Sequence, residues 1–192
     1  MNKFKIIICA LLISLLGCSS YLVAADKNIL DVGNQLPLFS LSAPPDLKQC
    51  TYLGLQANQT FSLEQIKGEI VIIEIFSMYC PHCQKDAPAI NELYTLIQND
   101  PSLARRIKLI GIGAGNSTFE VDIFKNKYQV EFPLFADDDL SIHEKLGSVR
   151  TPYFIGICTQ GQKKNRIFFS QLAGFAGARN FLDEILKQAD CR

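Results

Sequence analysis

Several features are missing from this sequence, and each absence narrows what it can do. There is no excess of either charge: nineteen basic side chains balance nineteen acidic ones over 192 residues. Nothing in that balance supplies the basic face that nucleic acid needs. There is no second Cys-x-x-Cys. A structural zinc site takes four ligands, usually from two such pairs. The single pair, Cys80 and Cys83, has only His82 inside it and a distant His143 with no cysteine nearby, which weighs against zinc. There is no internal repeat and no low-complexity linker. The longest uncharged apolar run, Ile6 to Leu16, is too short to span a membrane comfortably. With 48% hydrophobic residues the chain can still bury a real core, and its length fits one domain with short extensions.

What is present begins with a leader. Lys3 and Lys5 precede the Ile6 to Leu16 run, the pattern of a secretion signal. Two processing sites follow. Val23-Ala24-Ala25 offers the small residues of ordinary signal cleavage, which would remove 1–25 and leave 26–192 as the domain. Leu15-Leu16-Gly17-Cys18 resembles a bacterial lipobox, in which Cys18 becomes a lipid-bearing first residue that anchors the chain to a membrane. The alternative for Cys18 is an apolar residue discarded with the leader, like Cys9. Either route predicts export, to a bacterial periplasm or cell envelope, where disulfides persist. Removing Lys3 and Lys5 leaves 17 basic against 19 acidic residues, too mild a balance to name a partner.

Residues 26–50, rich in Pro, Asn, Asp and Ser, read as an extended lead-in, with an edge strand at Leu36 to Leu41. Ser62-Leu63-Glu64-Gln65 is a capping-box pattern opening a short helical turn that Gly68 stops. Ile70 to Phe76 is a β-branched run, apolar on both faces except at Glu74, which suits a central strand. Ile90, Leu93, Tyr94 and Ile97 then mark one stripe of a helix that Asn99-Asp100-Pro101 ends. A strand follows at Ile107 to Ile112 and a helix capped at Ser117, with Val121, Phe124 and Tyr128 on one face. A short strand is expected at Phe132 to Phe135 and a short helix at Ser141 to Leu146. Strands at Tyr153 to Cys158 and Arg166 to Leu172 flank a turn near Gly161, and a helix over Phe181 to Ala189 closes the chain. The order β-α-β-α then β-β-α predicts an α/β fold: a mixed sheet with helices on both faces.

Cys80 stands where the first central strand gives way to a helix, with Pro81 suited to the first helical turn. Its sulfur would meet unpaired backbone N–H groups and the positive end of the helix dipole, which favour thiolate. The thiolate is the species that attacks a disulfide, so Cys80 is the expected nucleophile. Cys83, one turn further in and buried, would resolve the mixed disulfide. A Cys-x-x-Cys after a strand in a βαβ pattern is the redox form of the motif rather than a metal site or a staple.

These elements, with Phe76-Ser77-Met78-Tyr79-Cys80-Pro81-His82-Cys83, resemble the thioredoxin superfamily. The continuation Gln84-Lys85-Asp86-Ala87-Pro88 is similar to the periplasmic TlpA-type and cytochrome-c-maturation thiol oxidoreductases, and the likeness covers roughly residues 32–190. Tyr79 stands where thioredoxins usually carry Trp. The resemblance implies a cis bond before Pro152, facing the cysteine pair, with the Thr151 backbone pairing an extended substrate segment. Pro is the residue for which cis costs least. Pro88 matches a helix-kinking proline of the family. Glu74 occupies the place of a buried acid, where a raised pKa would let it take the Cys83 proton. Asp86 stands where the TlpA-type proteins commonly have Glu, and the alternative for it is a solvated helix residue. His82 would stabilise the Cys80 thiolate and tilt the pair toward oxidation, as in the strong periplasmic oxidant of the superfamily, at about −120 mV against about −270 mV for thioredoxin. The TlpA-type likeness points instead to relatives that reduce.

The expected activity is exchange with protein thiols and disulfides and with a redox partner protein, with no cofactor, since the cysteines carry the electrons. A thiol peroxidase of the peroxiredoxin type would need Pro at 73 and Thr at 77, where Ile73 and Ser77 stand. A binding protein handling metal or haem through the cysteine pair is the non-enzymatic alternative. Of the other cysteines, Cys158 and Cys191 both fall at the end away from the pair in the expected topology. They are the preferred structural disulfide, with Cys50 free or exchanging into it. His143 reads as a helix surface residue.

Overall fold

The computed structural model describes residues 28–172, 175 and 177–191. The leader, both processing sites and Cys18 lie outside the described residues. The chain builds β1 (Leu41–Ser42), α1 (Leu47–Leu53) and β2 (Thr60–Phe61), then a 3-10 turn at Leu63–Gln65. The central run forms β3 (Ile70–Phe76), followed by α2 (Pro81–Asn99), α3 (Pro101–Arg106), β4 (Ile107–Ala114), α4 (Thr118–Tyr128), β5 (Leu134–Asp137) and α5 (Ser141–Lys145). β6 (Tyr153–Cys158), β7 (Ile167–Leu172) and α6 (Ala178–Gln188) complete it.

The main sheet has the order β5-β4-β3-β6-β7. β3, β4 and β5 run parallel, while β6 is antiparallel to β3 and β7 to β6. This is the mixed sheet flanked by helices that the pattern of runs predicts. β3 lies in the middle, buried at every position. Its side chains alternate between two cores. Ile70, Ile72 and Phe76 face Cys83, Ile90 and Leu93 of α2, Phe124 of α4 and Phe181 of α6. Val71, Ile73 and Ile75 face Leu36, Phe39, Leu53, Phe61 and Ile142. The lead-in is therefore not an appendage. It seals the second face of the sheet, and each large apolar side chain so buried contributes roughly 1.5–3 kcal/mol.

The lead-in also departs from the extended segment expected of it. Asp46 accepts the Lys48 N–H at 2.8 Å and starts α1, and Gly54, in the left-handed region, stops it. The expected edge strand shrinks to Leu41–Ser42, paired with β2. Pro37 has no N–H to give a ladder, and Leu36 bonds instead to Asn165, its N–H to the Asn165 carbonyl at 2.9 Å and its carbonyl to the Asn165 side chain at 2.8 Å. Asn99-Asp100-Pro101 ends α2 as expected but also begins α3, because Asp100 accepts the N–H groups of Ser102 and Leu103 and Pro101 fits the first turn. β5 reaches β4 only from Gly111 onward. Before that point the Tyr52 hydroxyl takes the place of a strand, accepting the Leu109 N–H at 2.7 Å.

Cys158 lies opposite Ile70, the first residue of β3, at the end of the sheet away from Cys80. It is disulfide-bonded to Cys191. Cys50 is a free, buried thiol that donates to the Pro44 carbonyl.

Candidate active site

Cys80 is the N-cap of α2, and its sulfur accepts the Cys83 N–H at 3.3 Å. Pro81 occupies the first helical turn, where its missing N–H leaves nothing unpaired. Across from it the Cys80 thiol lies 3.4 Å from the Thr151 carbonyl oxygen. The Thr151–Pro152 peptide is cis, and Pro152 is buried at the start of β6. Burial pushes the half-buried Cys80 thiol up. The Cys83 thiol, the Thr151 side chain and the backbone N–H groups of Cys83 and His82 outweigh it and hold the pKa below the ordinary thiol value. Cys83 behaves oppositely. It is fully buried, and desolvation, the bond to Cys80 and the charges of Glu74 and Cys80 push its thiol far up, against a bond from the Ser77 backbone. One sulfur is poised to ionise and the other is held protonated.

Glu74 shares the Cys83 side of β3 with Ile72 and Phe76. It is 2% exposed, and its Oε1 has no hydrogen-bond partner among the described residues. Desolvation, then the charges of Asp86 and Cys80, raise its carboxyl from 4.5 to about 8. This predicts a pH signature in stability. Between pH 4.5 and 8 the unfolded chain ionises Glu74 while the folded one does not, so the stability present below pH 4.5 is lost as pH rises toward 8. Urea unfolding should show Glu74→Gln gaining on wild type by a few kcal/mol across that window. A difference that stays flat with pH would mean that the carboxyl is not held neutral.

Asp86 is half-buried on α2. Burial raises its pKa, and the charges of Lys85 and His82 pull it back. His82 is exposed, and the hydrogen bond from it that reaches Cys80 comes from its backbone N–H. Tyr79 is 65% exposed beside the pair, its hydroxyl bonded to Glu120 at the start of α4. Pro88 stands inside α2.

Other polar groups at this end were not read from the sequence. Asn116, in the loop after β4, accepts the Met78 N–H at 2.8 Å, and Gln84 donates to the Met78 carbonyl at 2.7 Å. The signal that could have found Asn116 is topological: β4 runs parallel beside β3, so the loops after both strands meet at one end. His143 is not the surface residue expected. Gly147 and Ser148, both at positive φ, turn the chain back over α5. The His143 ring then lies half-buried, with Nε2 2.7 Å from the Val149 carbonyl, while Asp137 accepts its backbone N–H at 2.8 Å. These bonds support the segment that carries Thr151 to Cys80.

The AhpC/TSA family profile matches residues 32–171. The thiol-disulfide oxidoreductase ResA of Bacillus anthracis is 26% identical over 135 residues, 70% of this chain and 68% of its own. The thioredoxin domain of a thiol-disulfide oxidoreductase from Bacteroides vulgatus has a TM-score of 0.60 at 16% identity, covering 81% of this chain and 99% of its own. A secreted Mycobacterium tuberculosis disulfide oxidoreductase homologous to E. coli DsbE has a TM-score of 0.52 at 14% identity, over 85% of this chain and 99% of its own. The solved structures establish the thioredoxin-like fold, and the profile spans well over half of the sequence. This chain belongs to the AhpC/TSA family.

Proposed function

We propose that this chain is an exported thiol–disulfide oxidoreductase in which Cys80 attacks and Cys83 resolves. The observation that carries the reading is the contrast between the two sulfurs: Cys80, half-exposed at a helix N-terminus with its pKa lowered, and Cys83, buried behind it with its pKa raised. The Cys80 thiolate attacks one sulfur of a substrate disulfide, and the other leaves as a thiolate. Cys83 then bonds to Cys80, and the second substrate sulfur leaves with the electron pair. The protein ends oxidised and the substrate reduced, and the reverse sequence oxidises a dithiol. Glu74, its pKa raised to about 8, exchanges the proton of Cys83, with Asp86 as the more accessible carboxylate toward solvent. Thr151 and Pro152 form one wall of the substrate groove and Tyr79 the other.

Export rests on the leader at Lys3 to Leu16 and on the bridge between Cys158 and Cys191, which suits an oxidising compartment. The Mycobacterium tuberculosis protein of the same fold is itself secreted. A lipid on Cys18 would add a membrane tether. Partners are protein thiols or disulfides and a protein that resets the pair. Ile73 and Ser77 replace the Pro and Thr of the peroxidase pattern, so peroxide is not the proposed substrate.

The test is mixed-disulfide trapping in cells. Cys83→Ala should accumulate covalent complexes that reductant releases, and their identity gives both substrate and direction of flow. Cys80→Ala should capture nothing. If it traps the same proteins, Cys80 is not the nucleophile.

A further inference from the structure

Because β5 pairs with β4 only from Gly111 onward, the sheet edge ahead of that point is a notch. A cleft of about 470 Å³ opens there, lined by α1, the second half of α2 and the start of β4. Lys108 of β4 lines it. This side chain is 7% exposed, yet no carboxylate pairs with it among the described residues. A buried ammonium ordinarily has an opposite charge beside it. Lys108 has instead the Ala104 carbonyl, 2.5 Å from Nζ, and the ring of Tyr52, 4.7 Å away. An ammonium carries three N–H groups, so these two contacts leave one without a partner. Burial accordingly pulls its pKa down. Gln98 lines the same cleft, and its Nε2 is buried with no hydrogen-bond partner. Lys48 and Lys125 also line it, against the carboxylates of Asp46 and Glu131. Asp46 is engaged in capping α1 through the Lys48 N–H. Donors and cations therefore outnumber the acceptors that could answer them. The rings of Tyr52 and Tyr94, edge to face at 5.7 Å, supply an apolar wall.

We propose that this notch binds a small organic anion, a carboxylate or a phosphate monoester, whose charged oxygens bond Lys108 and Gln98 and whose apolar part lies against Tyr52 and Tyr94. An anionic oxygen would complete the bonds of the ammonium and give the Gln98 amide its missing acceptor. Bonds to a charged donor are the strong ones, and away from bulk water they gain further. The volume suits such a ligand, since small-molecule sites run from roughly 300 to 1,000 Å³. Lys108 is the second residue of β4, whereas Cys80 lies beyond the last residue of β3, which runs parallel to β4. The notch is therefore at the opposite end of the sheet from the cysteine pair, and binding there is independent of the exchange proposed above.

Benzoate and phenyl phosphate are the probes, titrated into the full chain while Tm is followed, with sodium chloride at matched ionic strength as the reference. At about tenfold over its Kd the better probe should raise Tm by about 4 °C, and the rise should saturate. A larger response to benzoate assigns a carboxylate and a larger response to phenyl phosphate assigns a phosphate ester; either supports the site. Lys108→Met keeps the length of the stem and removes the charge, and it should weaken binding about tenfold or more. Gln98→Leu should weaken it about threefold, and it decides the matter if Lys108→Met does not fold. A rise no greater than sodium chloride gives, or affinity unchanged in the variants, overturns the site. Alkylation of Cys80 should proceed at the wild-type rate in both variants, so a failure at the notch leaves the exchange mechanism standing.

Discussion

Cys80→Ser should lower the rate of disulfide exchange by about three orders of magnitude or more, the largest single effect expected in this chain. The reason is the acidity of the attacking atom. A disulfide is attacked by a thiolate, and a serine hydroxyl at the same place does not ionise at neutral pH. The N–H groups and the Thr151 contact that hold the Cys80 thiol below its ordinary pKa would still be present, with no anion to stabilise. The same environment sets the pH profile of the wild type. Alkylation of Cys80 by iodoacetamide should rise with pH and level off with a midpoint below 9.0, the ordinary thiol value. Cys83 should react far more slowly, because it is buried and its pKa is raised. Turnover surviving in Cys80→Ser, or a single alkylation midpoint above 9, would contradict the assignment of the two sulfurs.

Cys191→Ala should cost about 3–4 kcal/mol of folding stability, the value that chain entropy gives for a loop of 33 residues. In a chain of this size that corresponds to a fall in Tm of roughly 10 °C. The bridge joins the end of β6 to the residues after α6, and α6 covers the core around Cys83 through Phe181 and Ile185. The partner left behind, Cys158, is buried and acts as a small apolar side chain, so the loss should not be compounded by a stranded polar group. The bridge lies far from the active end, so the alkylation rate of Cys80 should stay within about twofold of wild type at temperatures where the variant is folded. A stability loss below about 1 kcal/mol would show that the unfolded chain gains little freedom when the bridge is absent.

The fold was legible because its elements announce themselves locally. The β-branched run at Ile70 to Phe76, the caps at Ser117 and Pro81, and the Gly161 turn each state their structure within a few residues. Placing Cys80 at the strand-to-helix junction needed no more than that. The lead-in was harder. Asp46 and Gly54 are good helix caps, but the surrounding Pro, Asn and Ser read as extended chain, and nothing nearby shows that Leu36 and Phe61 lie on the far side of the same sheet. Asn116, Gln84 and His143 were illegible for a different reason. Asn116 bonds to the backbone of a loop made by another segment, and Gln84 and His143 to irregular backbone beside their own helices; such bonds leave no period and no spacing. An amide that holds a catalytic loop looks, in sequence, like any other loop amide.

The lead-in gives the fold an order in time. Residues 33–36 are tied to residues 165–167: Gly33 donates to the Ile167 carbonyl, Ile167 to the Asn34 carbonyl, and Leu36 to the Asn165 carbonyl. These segments are separated by nearly the whole described chain, so the second core stays open until almost the last residues are available. A chain made or threaded through a membrane from its N-terminus would carry Leu30, Leu36 and Phe39 uncovered for most of that passage. Closure, with its cost in loop entropy, comes only when β7 arrives. Leu30, Leu36 and Phe39, early in the described residues, are thus among the last to find their place.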